Sequence, residues 1–445
     1  MRFTVILTLG LIGCAHDEGA THLLEVSVTG KGVVTAATRG IACAGRCSYP
    51  LPADERVALL ATAEPGHRLE TWSGACSTGA CELTMSEDRT VEARFVALDA
   101  ADRVQRLPLS TEPLVAKVEV AVDIAGDLAI VGIRNGVDRP GDQPPIFEDA
   151  QIFERRAGKW LRLERLAPVN KAGFGHAVAI DGDWAVVGAH FVKALYFYGR
   201  EGAKWSQLRF DPKETLPYFG VSVALERTTA AAGAFNPATK DGQVHVLELV
   251  GQTWKETARI DRPGRFGFSI ALDGGTMLVG APDHGANGAA YVFEKTDGGW
   301  KEVARLETSA KETGTVVALN AGVALVGASS STFVFERAGS TWTRKFSLPV
   351  DKKADGIGGN NRENIAGNTL VVGNTTASGD AGAVRIARRL GGTWVEGPAI
   401  VALDGQAGDK LGAAVAIGVN TVIAAAPGKD DVTTDEGAVY FFELP

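Results

Sequence analysis

The apolar residues of this chain follow two rhythms. Between 23 and 97 they alternate with polar ones, as in LEVSVTGKGVV (24–34), ERVALLATA (55–63) and TVEARF (90–95), and glycine and proline turns punctuate them. A period of two buries one face of a strand and wets the other, so this stretch predicts a small antiparallel β module. Beyond residue 99 the apolar positions run almost unbroken, as in AVAIDGDWAVVGA (177–189), SIALDGGTMLVGA (269–281), VVALNAGVALVGA (316–328) and AVAIGVNTVIAAA (414–426). Such runs predict strands buried on both faces, with glycines at the crowded positions Gly188, Gly233, Gly280 and Gly327.

These runs are copies of one unit. Phe174-Gly175, Phe219-Gly220 and Phe266-Gly267 open three copies, and equivalent slots fall at Val118, Thr313, Gly359 and Leu411, spaced 45 to 56 residues apart. Trp160, Trp205, Trp254, Trp300, Trp342 and Trp394 keep the same beat. A period near 46 holding four short strands predicts a propeller blade. In the fourth copy the predicted strands are Phe266–Leu272, Thr276–Gly280, Ala289–Glu294 and Trp300–Leu306. The seventh copy ends at Tyr440-Phe441-Phe442 without a tryptophan strand; Arg103–Leu109 resembles the missing strand and is expected to pair there, removing an open edge. The expectation for 99–445 is an all-β, seven-bladed β-propeller.

The Phe-Gly pairs together with Gly280-Ala281-Pro282, and the near match Ala425-Ala426-Pro427, resemble the FG-GAP repeat of integrin α chains and many exported bacterial proteins. That resemblance implies the seven-bladed ring and recognition of an extracellular protein or glycan. It also brings in the calcium loops of integrin blades, from which this sequence departs. The turns Ala125-Gly126-Asp127, Asp181-Gly182-Asp183 and Asp273-Gly274-Gly275 are two-residue hairpin turns, too short to wrap a cation needing six to eight oxygens. No cofactor is expected, with calcium kept as an alternative.

The first fourteen residues, MRFTVILTLGLIGC, carry Arg2 and then a short apolar run, which predicts a secretion signal and not a membrane span. Leu11-Ile12-Gly13-Cys14 resembles the lipobox of bacterial lipoproteins, which implies an acylated Cys14 as the mature first residue and an anchor in the outer membrane or at the cell surface. The expected organisation is therefore signal peptide 1–13, tether 14–22, β module 23–97 and propeller 99–445.

Four cysteines remain, Cys43, Cys47, Cys76 and Cys81. In an exported chain they predict disulfides, and a small sheet needs such staples. Counting leaves three pairings open, though the short gaps favour Cys43–Cys47 and Cys76–Cys81; zinc is a weaker alternative at this spacing. Gly30, Gly32, Gly40-Ile41, Trp72-Ser73-Gly74-Ala75-Cys76, Met85 and Val91-x-Ala93-x-Phe95 resemble the divergent internalin-type B-repeat, a spacer in bacterial surface proteins.

Composition narrows the function. Lysine plus arginine number 45 against 53 acidic residues, a net charge of -8, which argues against nucleic-acid binding. With 54 glycines in 445 residues, turns are frequent. The loops between second and third strands, 134–149, 236–241, 283–288, 374–382 and 428–437, carry Asp138, Asp142, Asp283, Asp380, Asp430, Asp431, Asp435 and Glu436. These predict an acidic face for a cationic or polyhydroxylated partner, with a cation conceivable at 428–437. The sialidase-type box is absent, because its aspartate slot holds Leu249, Arg337 and Arg389, and no nucleophile elbow, zinc helix or phosphate loop occurs. His176, on a predicted innermost strand, is the one histidine placed to face a channel. The reading is a monomeric, lipid-anchored surface protein that binds or scaffolds and has no catalytic residues; the alternative is a polysaccharide-acting hydrolase or lyase.

Overall fold

The computed structural model describes residues 20–36, 40–63, 67–76, 81–97, 104–110, 118–135, 147–156, 159–168, 172–202, 204–349, 363–430 and 436–444. The chain divides into two compact units, 1–99 and 100–444. Both are built from strands, and among the described residues no helix is long and apolar enough to cross a membrane.

The first unit differs from the single antiparallel sheet expected of it. Two four-stranded sheets face each other. Thr21–Thr29 pairs antiparallel with Arg46–Pro52 but parallel with Arg89–Ala97. A parallel pair needs a long crossover, and the strands between supply one while building the second sheet. Leu24, Val26, Val34, Leu59, Trp72, Val91 and Phe95 make the shared core. Cys43 is bonded to Cys47 and Cys76 to Cys81, with Cα separations of 5.9 and 5.4 Å.

The second unit contains seven four-stranded sheets among its described residues. Six are plain meanders, covering 118–166, 174–210, 222–263, 269–306, 317–349 and 363–396. The seventh joins Val415–Ile417, Thr421–Ala426 and Ala438–Glu443 to Val104–Pro108, so its outer strand comes from the start of the unit, as the tryptophan-lacking last copy requires. Each hydrophobic cluster is shared by two successive sheets, and one joins the seventh to the first through Phe441, Val439, Phe153 and Trp160. The indole of Trp160 stacks on Phe441 at 4.6 Å and that of Trp254 on Phe197 at 4.4 Å. The periodic tryptophans are thus wedges between sheets.

Three further contacts recur from sheet to sheet. Phe-Gly opens the first strand of the second sheet at Phe174 but precedes it in the third and fourth: Phe268 N–H donates to the Arg265 carbonyl (3.1 Å) and Val221 N–H to that of Tyr218 (3.1 Å), making Phe-Gly there the centre of a tight turn. The fourth sheet accordingly begins at Ser269, not Phe266. Such a turn needs positive φ at its third residue, and Gly220 (85°) and Gly267 (86°) supply it. Those glycines also abut the Gly of the preceding sheet, where a Cβ on Gly188 would lie 2.0 Å from the Gly220 carbonyl oxygen. The Phe-Gly and Gly-Ala halves of the repeat therefore meet across the sheet interface.

The second contact lies at the other end of the first strands. Asp123, Asp181, Glu226, Asp273 and Asn320 each accept a hydrogen bond from a backbone N–H of the next sheet, at Ile180, Arg227, Gly274, Ala321 and Gly367, over 2.6–2.9 Å. The hairpin acids serve as staples between sheets. Burial pushes the Asp123 carboxyl up to about 7 despite its N–H donors. The third contact is a rim of ion pairs, Glu154–Arg200, Glu248–Lys295, Glu294–Arg337, Glu336–Arg389 and, from seventh sheet to first, Glu443–Arg155.

Candidate binding face

The register brings the Phe-Gly turns and the loops between second and third strands to the same end of the sheets, since Phe174 pairs with Ala189 and Ala189 with Ala194. The residue before Phe-Gly, and before the equivalent Thr313-Gly314 and Leu411-Gly412, has left-handed backbone, and its side chain varies by copy. It is Gly173 (φ 80°), Tyr218 (59°), Arg265 (54°), Glu312 (59°) and Lys410 (58°). A bulky residue there costs on the order of 1 kcal/mol that glycine would not.

From the second to the fourth sheet these residues join loop aromatics in a row. Tyr218 stacks on His190 at 5.6 Å and on Phe235 at 5.2 Å, nearly parallel to both. Phe235 meets Phe268, and the Arg265 guanidinium lies over both rings, 5.9 and 4.7 Å from their centres. Phe191, 45% exposed at the tip of its loop, packs on His190 and Tyr218.

A buried polar cluster underlies one end of the row. Arg134 donates to Glu119 (2.6 Å) and lies 3.9 Å from Glu148, which also accepts from the Gly173 N–H (2.9 Å). His176 Nδ1 is 3.2 Å from Glu119, and its ring centre is 4.5 Å from that of His190. Burial alone would raise the Glu119 carboxyl, but His176 and Arg134 outweigh it and hold it at about 2. Burial, with His176 and Arg134 adding like charge, pushes His190 down to about 2 and keeps it neutral. His176 is 1% exposed, so it packs between sheets and does not open onto a channel.

The expected carboxylates are placed as follows. Asp283 is held by two cations, a bidentate Arg265 (2.8 and 2.9 Å) and Lys240 (3.3 Å), and Arg265 foremost keeps its carboxyl below the ordinary value. Asp380 is exposed, and its carbonyl accepts from Gly408 and Lys410. Asp430 is exposed; Glu436 is half-buried, with its carbonyl accepting from Ser110. Cys14, Asp138, Asp142, Asp431 and Asp435 lie outside the described residues. Among the described residues no three acids, histidines or cysteines gather as a metal site. Where loop 428–437 begins, the chain supplies its own cation: Lys429, 3% exposed, donates to the Asp404 carbonyl (2.6 Å) and pairs with Asp409 at 3.2 Å.

Family comparison fits this geometry. The FG-GAP repeat matches residues 264–293 and 394–442, the first beginning one residue before the Arg265-Phe266-Gly267 turn. The chain carries FG-GAP repeats. Its first unit carries a divergent InlB B-repeat domain, matched over 23–99. No curated protein matches the sequence. Similar solved structures include the AfRom2 CNH domain (13% identity, TM-score 0.43, covering 77% of this chain and 100% of that one). A protein from Lactobacillus plantarum (12%, 0.46, 71% and 99%) and Saccharomyces cerevisiae Sqt1 (11%, 0.45, 76% and 98%) also resemble it.

Phe191, Tyr218, Arg265 and Lys429 are not among the residues that the sequence marks as candidates. A signal for two of them was present: the copies align on Phe-Gly, and the preceding residue changes from Gly173 to Tyr218 to Arg265.

Proposed function

We propose that the FG-GAP unit is a seven-bladed propeller that serves as a binding module on the outside of the cell, anchored through an acylated Cys14 and carried on the B-repeat unit as a spacer. The observation that carries this reading is the row from Phe191 to Arg265. Aromatic and basic side chains are kept there on left-handed backbone where another copy uses glycine. Rigid, partly exposed rings give contact area at low entropic cost. The two disulfides and the repeat family suit an extracellular setting. The partner is an extracellular protein or glycan, and the module acts as a monomer without cofactor or catalysis.

A polysaccharide-cleaving activity has one observation in its favour, the pairing of His176 with Glu119. Against it, Arg134 bonds to Glu119, and neither His176 nor Glu148 is open to solvent.

Capture from cell-envelope and extracellular material by the full-length chain tests the reading. A partner held by the wild type and lost by Phe191→Ala with Tyr218→Gly supports it; a partner held equally by both sinks it. For the anchor, Cys14→Ser is expected to move the protein from the membrane fraction to the soluble one.

A further inference from the structure

We propose that the arc from the second to the fourth sheet binds acidic polysaccharide, a sugar ring lying on Phe191 and acid groups meeting Lys193, Lys240 and Arg265. This rests on the reading of that face as the ligand platform and names its ligand class.

Backbone cost is the first argument. Besides Tyr218 and Arg265, Lys193 (φ 50°) and Lys240 (62°) are left-handed here. Pairing registers place Lys193 where Gly288, Gly382 and Gly437 stand in other sheets, all with positive φ. The fold works with glycine in that slot, so the lysine is not required by the turn. Four left-handed positions along one arc thus hold three cations and one aromatic ring, each at a cost of about 1 kcal/mol.

Charge is the second. The formal charge of the chain is -8, yet this arc has a basic surplus. Three cations, Lys193, Lys240 and Arg265, stand with two carboxylates, exposed Asp241 and the Asp283 that Arg265 and Lys240 share. Exposed Lys193, two residues from Phe191, has no ion-pair partner among the described residues. A local positive field on an acidic protein attracts anions to that place on its surface.

The rings decide between anionic partners. Cations alone would hold an acidic peptide. An exposed phenyl ring backed by a stacked His190–Tyr218–Phe235 sandwich is a flat, rigid apolar surface beside those cations. A sugar ring bearing an acid group has the complementary pair, a flat C–H face and a charged edge.

Titration of the full-length chain with polygalacturonate and dextran sulfate tests this, with dextran as sugar without charge and polyglutamate as charge without sugar. At least one acidic polysaccharide is expected to bind at least tenfold more tightly than dextran or polyglutamate. Phe191→Ala should weaken that binding about tenfold and leave polyglutamate unchanged; Lys193→Ala with Lys240→Ala should weaken it and flatten its salt dependence. All three side chains are exposed, and unchanged thermal melts will show that the variants fold. Failure of both acidic polysaccharides to bind, equal binding of polyglutamate, or indifference to Phe191→Ala overturns the proposal. Polyglutamate binding that the lysine variant abolishes would overturn the sugar assignment while sparing the platform reading, which fails only if the arc variants still capture their partner.

Discussion

The two units solve the same problem, a stable stack of short strands, in opposite ways. The B-repeat unit has one small core and two disulfides, each closing a loop of only four or five residues. The FG-GAP unit has no disulfide among its described residues and repeats three small contacts at successive sheet boundaries: glycine against glycine, a hairpin side chain on a neighbouring N–H, and a rim ion pair. Specification is concentrated in a few residues in the first and distributed in the second. A damaging change should therefore be catastrophic in the one only at its staples and core, and in the other wherever backbones touch.

The largest effect is expected at such a touch point. A Cβ on Gly280 would lie 2.0 Å from the Gly314 carbonyl oxygen, and backbone cannot yield as a flexible side chain can. Gly280→Ala should cost roughly 3 kcal/mol or more, read as a fall in the melting midpoint of the FG-GAP unit alone. Reduction of the disulfides should do the converse. Loops this short give about 2 kcal/mol per bridge on a chain-entropy account, all of it lost from the B-repeat unit. If a reductant moves both unfolding transitions, the units are not independent and the contrast fails.

A pH experiment separates the hairpin contact from the rest. Asp123 has its carboxyl raised from about 3.9 in an unfolded chain to about 7. Between those values the folded state holds a proton that the unfolded state has released, so its contribution is full below pH 4 and declines as pH rises to 7. Asp123→Asn should flatten that limb of the denaturation curve while leaving the hydrogen bond to Ile180 in place. An unaltered slope would show that Asp123 is not the group responsible.

The rim is expected to matter least per contact. Glu443 and Arg155 join the seventh sheet to the first at 3.0 Å, but both side chains are partly exposed. A double-mutant cycle with alanine at both should give a coupling of about 0.5–1 kcal/mol, smaller at high salt. A similar gain is expected from Glu312→Gly, since Glu312 holds left-handed backbone outside the basic arc and its side chain has no partner among the described residues.

Period and punctuation made much of the architecture legible. Near-continuous apolar runs announced strands buried on both faces, and seven openings at similar spacing announced seven sheets. The missing tryptophan strand of the last copy pointed to residues 104–108, because a four-strand unit that ends one strand short must find it elsewhere. Phe-Gly starts a strand at Phe174 but a turn at Phe219 and Phe266, since an apolar residue beside a strand-like run has the same period whether it enters the strand or turns before it. The B-repeat unit was read as one antiparallel sheet for a related reason: alternation reports which side chains are buried, not which strand lies alongside. Strand partnership across sixty residues, such as Leu24 beside Arg89, is a property of the fold.

For the candidate site the division is sharper. Residue types alone made loop acids such as Asp283 look like an exposed anionic ring. Only the tertiary structure sets Arg265 and Lys240 on Asp283, Lys429 between Asp404 and Asp409, and His176 against Glu119. Sequence by itself determined the repeat, because burial on both faces and tight turns leave few residues to choose from at each position. Which charges remain free for a ligand depends on pairings over distances of a few ångströms between residues far apart in the chain, and those exist only once the sheets have packed.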